Sequence, residues 1–217
     1  MNLRIAGLVR SFGRTRVLRK VDASFESGTI HKIVGPNGSG KTTLLRVLAG
    51  ILGFERGHFA VGDTTVSAEG ELPWLLRQRI GYIGHDSFAY PQLTSRENLK
   101  LFSVLYDTPD ERVEEALERY GLTSAAKRPV GGYSRGMIQR VALSRLWVQN
   151  PDILLLDEPG TGLDLHTHTM VMEDLRQAAE QSKTVLIVSH DPRDLEALPG
   201  SLHQMERGQL TMTADES

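Results

Sequence analysis

The chain of 217 residues contains no cysteine, which excludes a disulfide framework, a thiolate metal site and a cysteine nucleophile in one step. It also lacks any run of about 18 consecutive apolar residues, so nothing in it reads as a membrane span. The amino end, "MNLRIAGLVRSFGRTRVLRK", carries basic residues but only a short apolar run before Arg10, too brief for a signal peptide. A formal net charge of −2 gives no global field favouring nucleic acid. There is no internal repeat and no low-complexity segment, and the tail "TADES" is expected to fray. The 40% hydrophobic and 24% charged fractions are those of an ordinary globular domain, large enough to build a core without staples.

Apolar runs at Leu3–Val9 and Thr29–Val34 read as strands, and Lys41–Leu48 carries helical periodicity after a break at Pro36 and three glycines. Ser95–Tyr120 is helix-rich, with apolar residues at Leu99, Phe102, Leu105, Val113 and Leu117. Within it, Thr108 suits an N-cap and Pro109 the first helical position. Ser134–Val148 is a further helix, "DILLLDEP" (Asp152–Pro159) a strand of the fully buried type, His166–Gln181 a helix, and Thr184–Ser189 a second buried strand. Strands alternating with helices predict an α/β fold: a mostly parallel sheet covered by helices.

The most informative stretch is "IVGPNGSGKTTLLRVLAG", Ile33–Gly50. Gly35, Gly40, Lys41 and Thr42 fit the pattern G-x-x-x-x-G-K-[ST]. Glycines let the backbone curl so that successive N–H groups, those of Asn37, Gly38, Ser39 and Gly40 to Thr43 among them, point at phosphate oxygens. The helix starting near Lys41 adds its positive dipole end. Lys41 reaches the β- and γ-phosphates, and the Thr42 hydroxyl is placed to ligate Mg²⁺. A triphosphate also needs a carboxylate at the end of a neighbouring strand. Asp157, closing "ILLLD", suits the metal, and Glu158, expected to point the other way by strand alternation, suits a general base for the attacking water. No N-K-x-D or T-K-x-D stretch is present to read guanine, so ATP is the expected nucleotide.

With these motifs in this order, the chain resembles the ATP-binding subunits of ABC transporters from Leu3 to about Leu210. The segment "YSRGMIQRVALSR" (Tyr133–Arg145) resembles that family's signature motif, usually L-S-G-G-Q: Ser134 and Gly136 are kept, while Tyr133, Arg135 and Met137 depart from it. The resemblance implies a P-loop core with antiparallel N-terminal strands and a helical signature lobe. The single domain spans 1–217, with its core at about 1–85 and 150–217 and the lobe at about 86–149. It implies that two copies sandwich two ATP molecules head to tail, each lending Ser134 and Gly136 to the other's site. Phe12 corresponds to the aromatic residue that stacks on adenine, Leu163–Asp164 to the loop between the two sites, and His190 to the switch histidine at the γ-phosphate. His85 in "YIGHDSF" stands where the family carries Gln; the imidazole accepts or donates but titrates near neutrality. His85 and the following "LTSRENL" resemble, more weakly, the haem-exporter ATPase subunit of cytochrome c maturation.

The resemblance further implies ATP and Mg²⁺ as cofactors, integral membrane subunits and a second ATPase copy as partners, no nucleic acid, and a peripheral position on the cytoplasmic face of the membrane. The aromatic stretch Tyr82, Phe88, Tyr90, Phe102 and Tyr106 falls where the family receives a short helix of the membrane subunit. Two alternatives stay open: an ABC-type ATPase serving cell division or translation, and a small-molecule P-loop kinase.

Overall fold

A computed structural model describes residues 1–84 and 86–213 of the chain. Strands β1 (Leu3–Phe12) and β2 (Thr15–Phe25) form a hairpin in which Phe12 pairs with Thr15 at the turn. Then β3 (Ile30–Val34) runs into the glycine loop and α1 (Lys41–Leu48). A second hairpin, β4 (Arg56–Val61) and β5 (Thr64–Ser67), joins the first in an antiparallel sheet of order β2-β1-β4-β5. Their patterns mix buried and exposed positions, as a sheet with one covered face requires.

Next come α2 (Trp74–Arg79), β6 (Ile80–Ile83), α3 (Ser95–Tyr106), α4 (Glu111–Arg119) and α5 (Arg135–Gln149). After them follow β7 (Ile153–Asp157), α6 (Leu165–Glu180), β8 (Thr184–Val188), α7 (Pro192–Ala197), β9 (Ser201–Glu206) and β10 (Gln209–Thr213). The second sheet has the order β10-β9-β3-β8-β7-β6, parallel except for the β9–β10 hairpin at its edge. Every residue of β7 and β8 is buried, which is why both strands read as unbroken apolar runs.

Two cores result. On one side Leu44, Leu45 and Leu48 of α1 pack with Leu155, Leu186 and residues of the antiparallel sheet such as Phe25 and Phe59. On the other, Leu154, Leu156 and Ile187 meet the helices through Leu99, Leu117, Leu143 and Leu175. Each such side chain contributes about 1.5–3 kcal/mol by leaving water, so the strand ends that carry the site rest on a packed floor.

Two expectations are corrected. Helix α4 is not capped by Thr108: it begins at Glu111 with Asp110 as N-cap, because α3 closes with Asp107 in the left-handed region and Thr108–Pro109 serve as connection. Glu158 does not alternate as a strand residue either. The strand stops at Asp157, and Glu158 sits at φ 56°, so a left-handed turn aims its side chain.

Candidate nucleotide site

The site lies at the carboxyl ends of β3, β7 and β8, the position where parallel sheets gather ligands. A cleft of about 420 Å³ is lined by Gly35, Asn37, Gly38, Gly40, Lys41, Thr42, Thr43, Asp157, Glu158 and His190, together with Val17 and Val188. The structure thus brings together the residues named for the cradle, the metal and the water, from three separate segments. Ser39 is buried beneath the loop, and its hydroxyl has no hydrogen-bond partner among the described residues.

Backbone geometry dictates the glycine at position 35. Its φ is 149°, and a Cβ there would lie 2.1 Å from the Met205 carbonyl oxygen on β9, so any side chain would push the loop off the sheet. Lys41 Nζ donates to the carbonyls of Gly35 (2.6 Å) and Pro36 (3.0 Å), lying across the mouth of the loop. Thr42 and Thr43 occupy the first turn of α1, whose free N–H groups make an anion seat.

Asp157 is 3% exposed, and its Oδ2 has no hydrogen-bond partner among the described residues. A buried carboxylate oxygen left in that condition fits a cation, and the Thr42 hydroxyl lines the same cleft. Hard oxygen donors beside a phosphate cradle match Mg²⁺ chemistry. Glu158 is anchored through its backbone, its amide donating to Val188 O at 2.8 Å. Its side chain is 14% exposed, and its Oε1 accepts from His190 Nδ1 at 2.6 Å. That bond to Glu158 and the carboxylate charge raise the His190 pKa from its ordinary value.

Other named residues stand apart from this cleft. Phe12 is 48% exposed at the tip of the β1–β2 hairpin, with the Arg10 guanidinium 4.8 Å from its ring centre. Ser134 is the N-cap of α5, accepting from the Met137 amide at 3.3 Å, and Gly136 packs against the Gly162 carbonyl. Tyr133 turns inward and donates to Ala125 O at 2.6 Å, a structural use of the position where the motif departs from leucine. Asp164 caps α6 by accepting from the Thr167 amide and is paired with Arg140 of α5 at 2.5 Å, while Gln139 donates to Pro159 O at 2.9 Å. The bonds from Thr167 lower the Asp164 pKa. His85 lies outside the described residues.

Sequence reasoning missed Val17 and Val188, which carry no chemical signal. It also missed His168 and Asp194, which lie bonded to each other beneath His190, with Asp194 bonded to Ser189 as well.

A glycine cradle, a buried carboxylate and a carboxylate–histidine pair at the ends of parallel strands define a P-loop nucleotide site. Residues 18–161 match the family model described as ABC transporter. The chain belongs to that family, as an ABC transporter ATP-binding subunit. It is 36% identical over 201 residues, 90% of this chain and 80% of the relative, to the ABC transporter ATP-binding protein NatA of Bacillus subtilis (strain 168). It is 32% identical to the daunorubicin resistance ATP-binding protein DrrA2 of Streptomyces coeruleorubidus, over 95% of this chain and 64% of that one. Among solved structures, a dimeric ATP-binding cassette in a post-hydrolysis state with ADP and Pi superposes with a TM-score of 0.86, covering 98% of this chain and 99% of that one. Its sequence identity of 24% makes this a statement about fold.

Proposed function

We propose that the chain drives a membrane transporter by ATP-dependent, head-to-tail pairing of two copies, with residues of about 86–149 acting as the lobe that each copy offers to the other. The observation that carries the chemistry is the Glu158–His190 pair set beside the Lys41 cradle. Lys41 and the loop amides hold the phosphate oxygens, and Thr42 and Asp157 are the residues that would hold Mg²⁺. When bound, Mg²⁺ neutralises phosphate charge. Glu158, with Oε1 given to His190, takes the proton of a water as that water's oxygen bonds to the γ-phosphorus. The bond from phosphorus to the bridging oxygen breaks, and ADP and phosphate leave. His190 keeps the carboxylate in place and faces the γ-phosphate. Ser134 and Gly136, at the N-terminus of α5, are offered to the nucleotide of the second copy, and Phe12 flanks the adenine.

The surface of the helical region supports a membrane partner. Among the described residues no helix is long and apolar enough to cross a membrane. Yet α3 exposes Leu101, Val104 and Leu105, with Phe88 and Tyr90 of the preceding loop, as a run of apolar side chains in water. A short amphipathic helix from an integral subunit would cover it, and the reading puts the chain peripherally on the cytoplasmic face. Haem as cargo rests on His85 and the segment after it alone, and neither relative reported above is named for haem.

Purification from gently solubilised membranes through an affinity tag, with mass spectrometry and a visible spectrum, tests this reading. A stoichiometric multi-span protein is the expected result, and a haem absorption band would assign the cytochrome branch. Recovery of only soluble or ribosomal proteins would end the transport reading and favour the non-transport ATPase.

A further inference from the structure

Beneath the exposed His190 lies a buried polar chain that the mechanism above does not use. His168, in the second turn of α6, is 7% exposed, and its Nε2 donates to Asp194 Oδ1 at 2.5 Å. Asp194, on α7 and 2% exposed, accepts at its other oxygen from Ser189 Oγ at 2.6 Å. Ser189 Oγ accepts in turn from the Asp191 amide at 3.1 Å. Ser189 and Asp191 are the two neighbours of His190, so the chain pins the backbone on both sides of it.

The other end reaches the loop between the sites. The His168 amide donates to the Asp164 carbonyl at 2.9 Å, and Asp164 is the partner of Arg140 on the signature helix. Gly160, two residues after Glu158, packs on the His168 ring: a Cβ there would lie 2.8 Å from its Cδ2. Three donor-bearing groups, His168, Asp191 and Asp194, come within 4.8 Å of one another. This is not an open metal site, because Asp191 is engaged by Arg193 through Nε and Nη2, and both Asp194 oxygens are taken.

We propose that His168, Asp194 and Ser189 are positioning residues that hold the His190–Glu158 pair in register with the Gly160–Asp164 loop, making water attack responsive to the position of the signature helix. The inference rests on the roles proposed for Glu158 and His190. The two central links, His168 to Asp194 and Ser189 to Asp194, are short, buried bonds to a carboxylate, the kind that fixes geometry. Shifting a catalytic group by about 1 Å costs up to roughly a hundredfold in rate.

The test is steady-state ATP hydrolysis by the purified full chain carrying His168→Leu or His168→Gln. Leu keeps bulk and removes the bond, whereas Gln can place an N–H at the position of the imidazole Nε2. We expect His168→Leu to lower kcat at least about tenfold with KM for ATP within about twofold, and His168→Gln to recover most of it. A folded His168→Leu variant with wild-type kcat overturns the proposal. Equal losses in Leu and Gln also overturn it, since packing alone would then explain the site. If His168→Leu fails to fold, Ser189→Ala decides: a lower kcat at constant KM supports the brace, and an unchanged kcat overturns it. Glu158→Gln, run in parallel, separates the levels. Normal hydrolysis by Glu158→Gln would sink the catalytic assignment itself, whereas a dead Glu158→Gln beside a fully active His168→Leu sinks only the brace.

Discussion

The two functional faces of this molecule are built in opposite ways. At the nucleotide face, backbone does most of the work: a glycine loop, a helix N-terminus and two strand ends fix Lys41, Asp157 and Glu158 over a floor that is fully buried. At the outer face of α3 the material is side chains alone, and Val104, the most exposed, leaves 80% of its surface in water. Among the described residues the buried Ser39 Oγ and Asp157 Oδ2 of the first face have no hydrogen-bond partner, which points to small ligands. The second lacks only an apolar cover, which points to a protein. The base, the metal ligands and the cradle of a site thus come from one chain, while the reading proposed above draws its closing face and its membrane coupling from others.

The sharpest way to break that division is Glu158→Gln. Loss of the base should slow hydrolysis at least about a hundredfold, a general base's usual contribution, while ATP still binds and holds two copies together. Light scattering in excess ATP checks the pairing, and a monomer there would count against the sandwich. Lys41→Ala should act earlier, weakening ATP binding about tenfold or more because the charge that Nζ brings to the loop mouth is removed. Equilibrium binding of a fluorescent ATP analogue measures it, and unchanged affinity would sink the assignment.

On the other face, Val104→Glu should leave hydrolysis and folding nearly untouched, since surface changes stay within about 0.5 kcal/mol. Co-purification of the membrane subunit should fall sharply. If the two faces were instead one cooperative unit, hydrolysis by the isolated variant would fall with the pairing.

The same contrast explains what could be read beforehand. Gly35–Thr43 and Asp157 were legible because their signals are contiguous and dictated by backbone geometry. Thr94 and Glu97, which form a reciprocal capping box at the start of α3, carry an equally local signal. Strands β4, β5, β9 and β10 were not legible. They are four to six residues long, mix polar with apolar positions, and owe their existence to partners far along the chain. The conformation of Glu158 is not legible, since nothing in its neighbours announces a left-handed residue. His168 and Asp194 are 26 positions apart, and only the fold makes them a pair.

A second pair of that kind yields the smallest prediction. His31 on β3 and His203 on β9 are buried 3.1 Å apart, Nδ1 to Nε2, against the ring of Phe25. Burial lowers both pKa values, that of His203 to about 4, the reverse of the exposed His190 beside its carboxylate. In the unfolded chain each would titrate near 6.5. A lowered folded pKa means that the unfolded state binds protons first on acidification. Stability is therefore unaffected above about 6.5, falls as pH drops from there toward 4, and levels off below both values. His190, with its raised pKa, contributes in the opposite sense: its stabilisation is present below 6.5 and lost as pH rises through its folded value. Replacing His203 by Gln keeps a polar partner for His31 but removes one titration. Thermal melts from pH 7 to pH 4.5 should then show a Tm decline several degrees smaller than that of the parent chain, because one of the two imidazoles that take up a proton on unfolding is gone. Parallel melting curves would mean that other groups carry the acid sensitivity, and that the strand feeding the cradle is indifferent to the charge behind it.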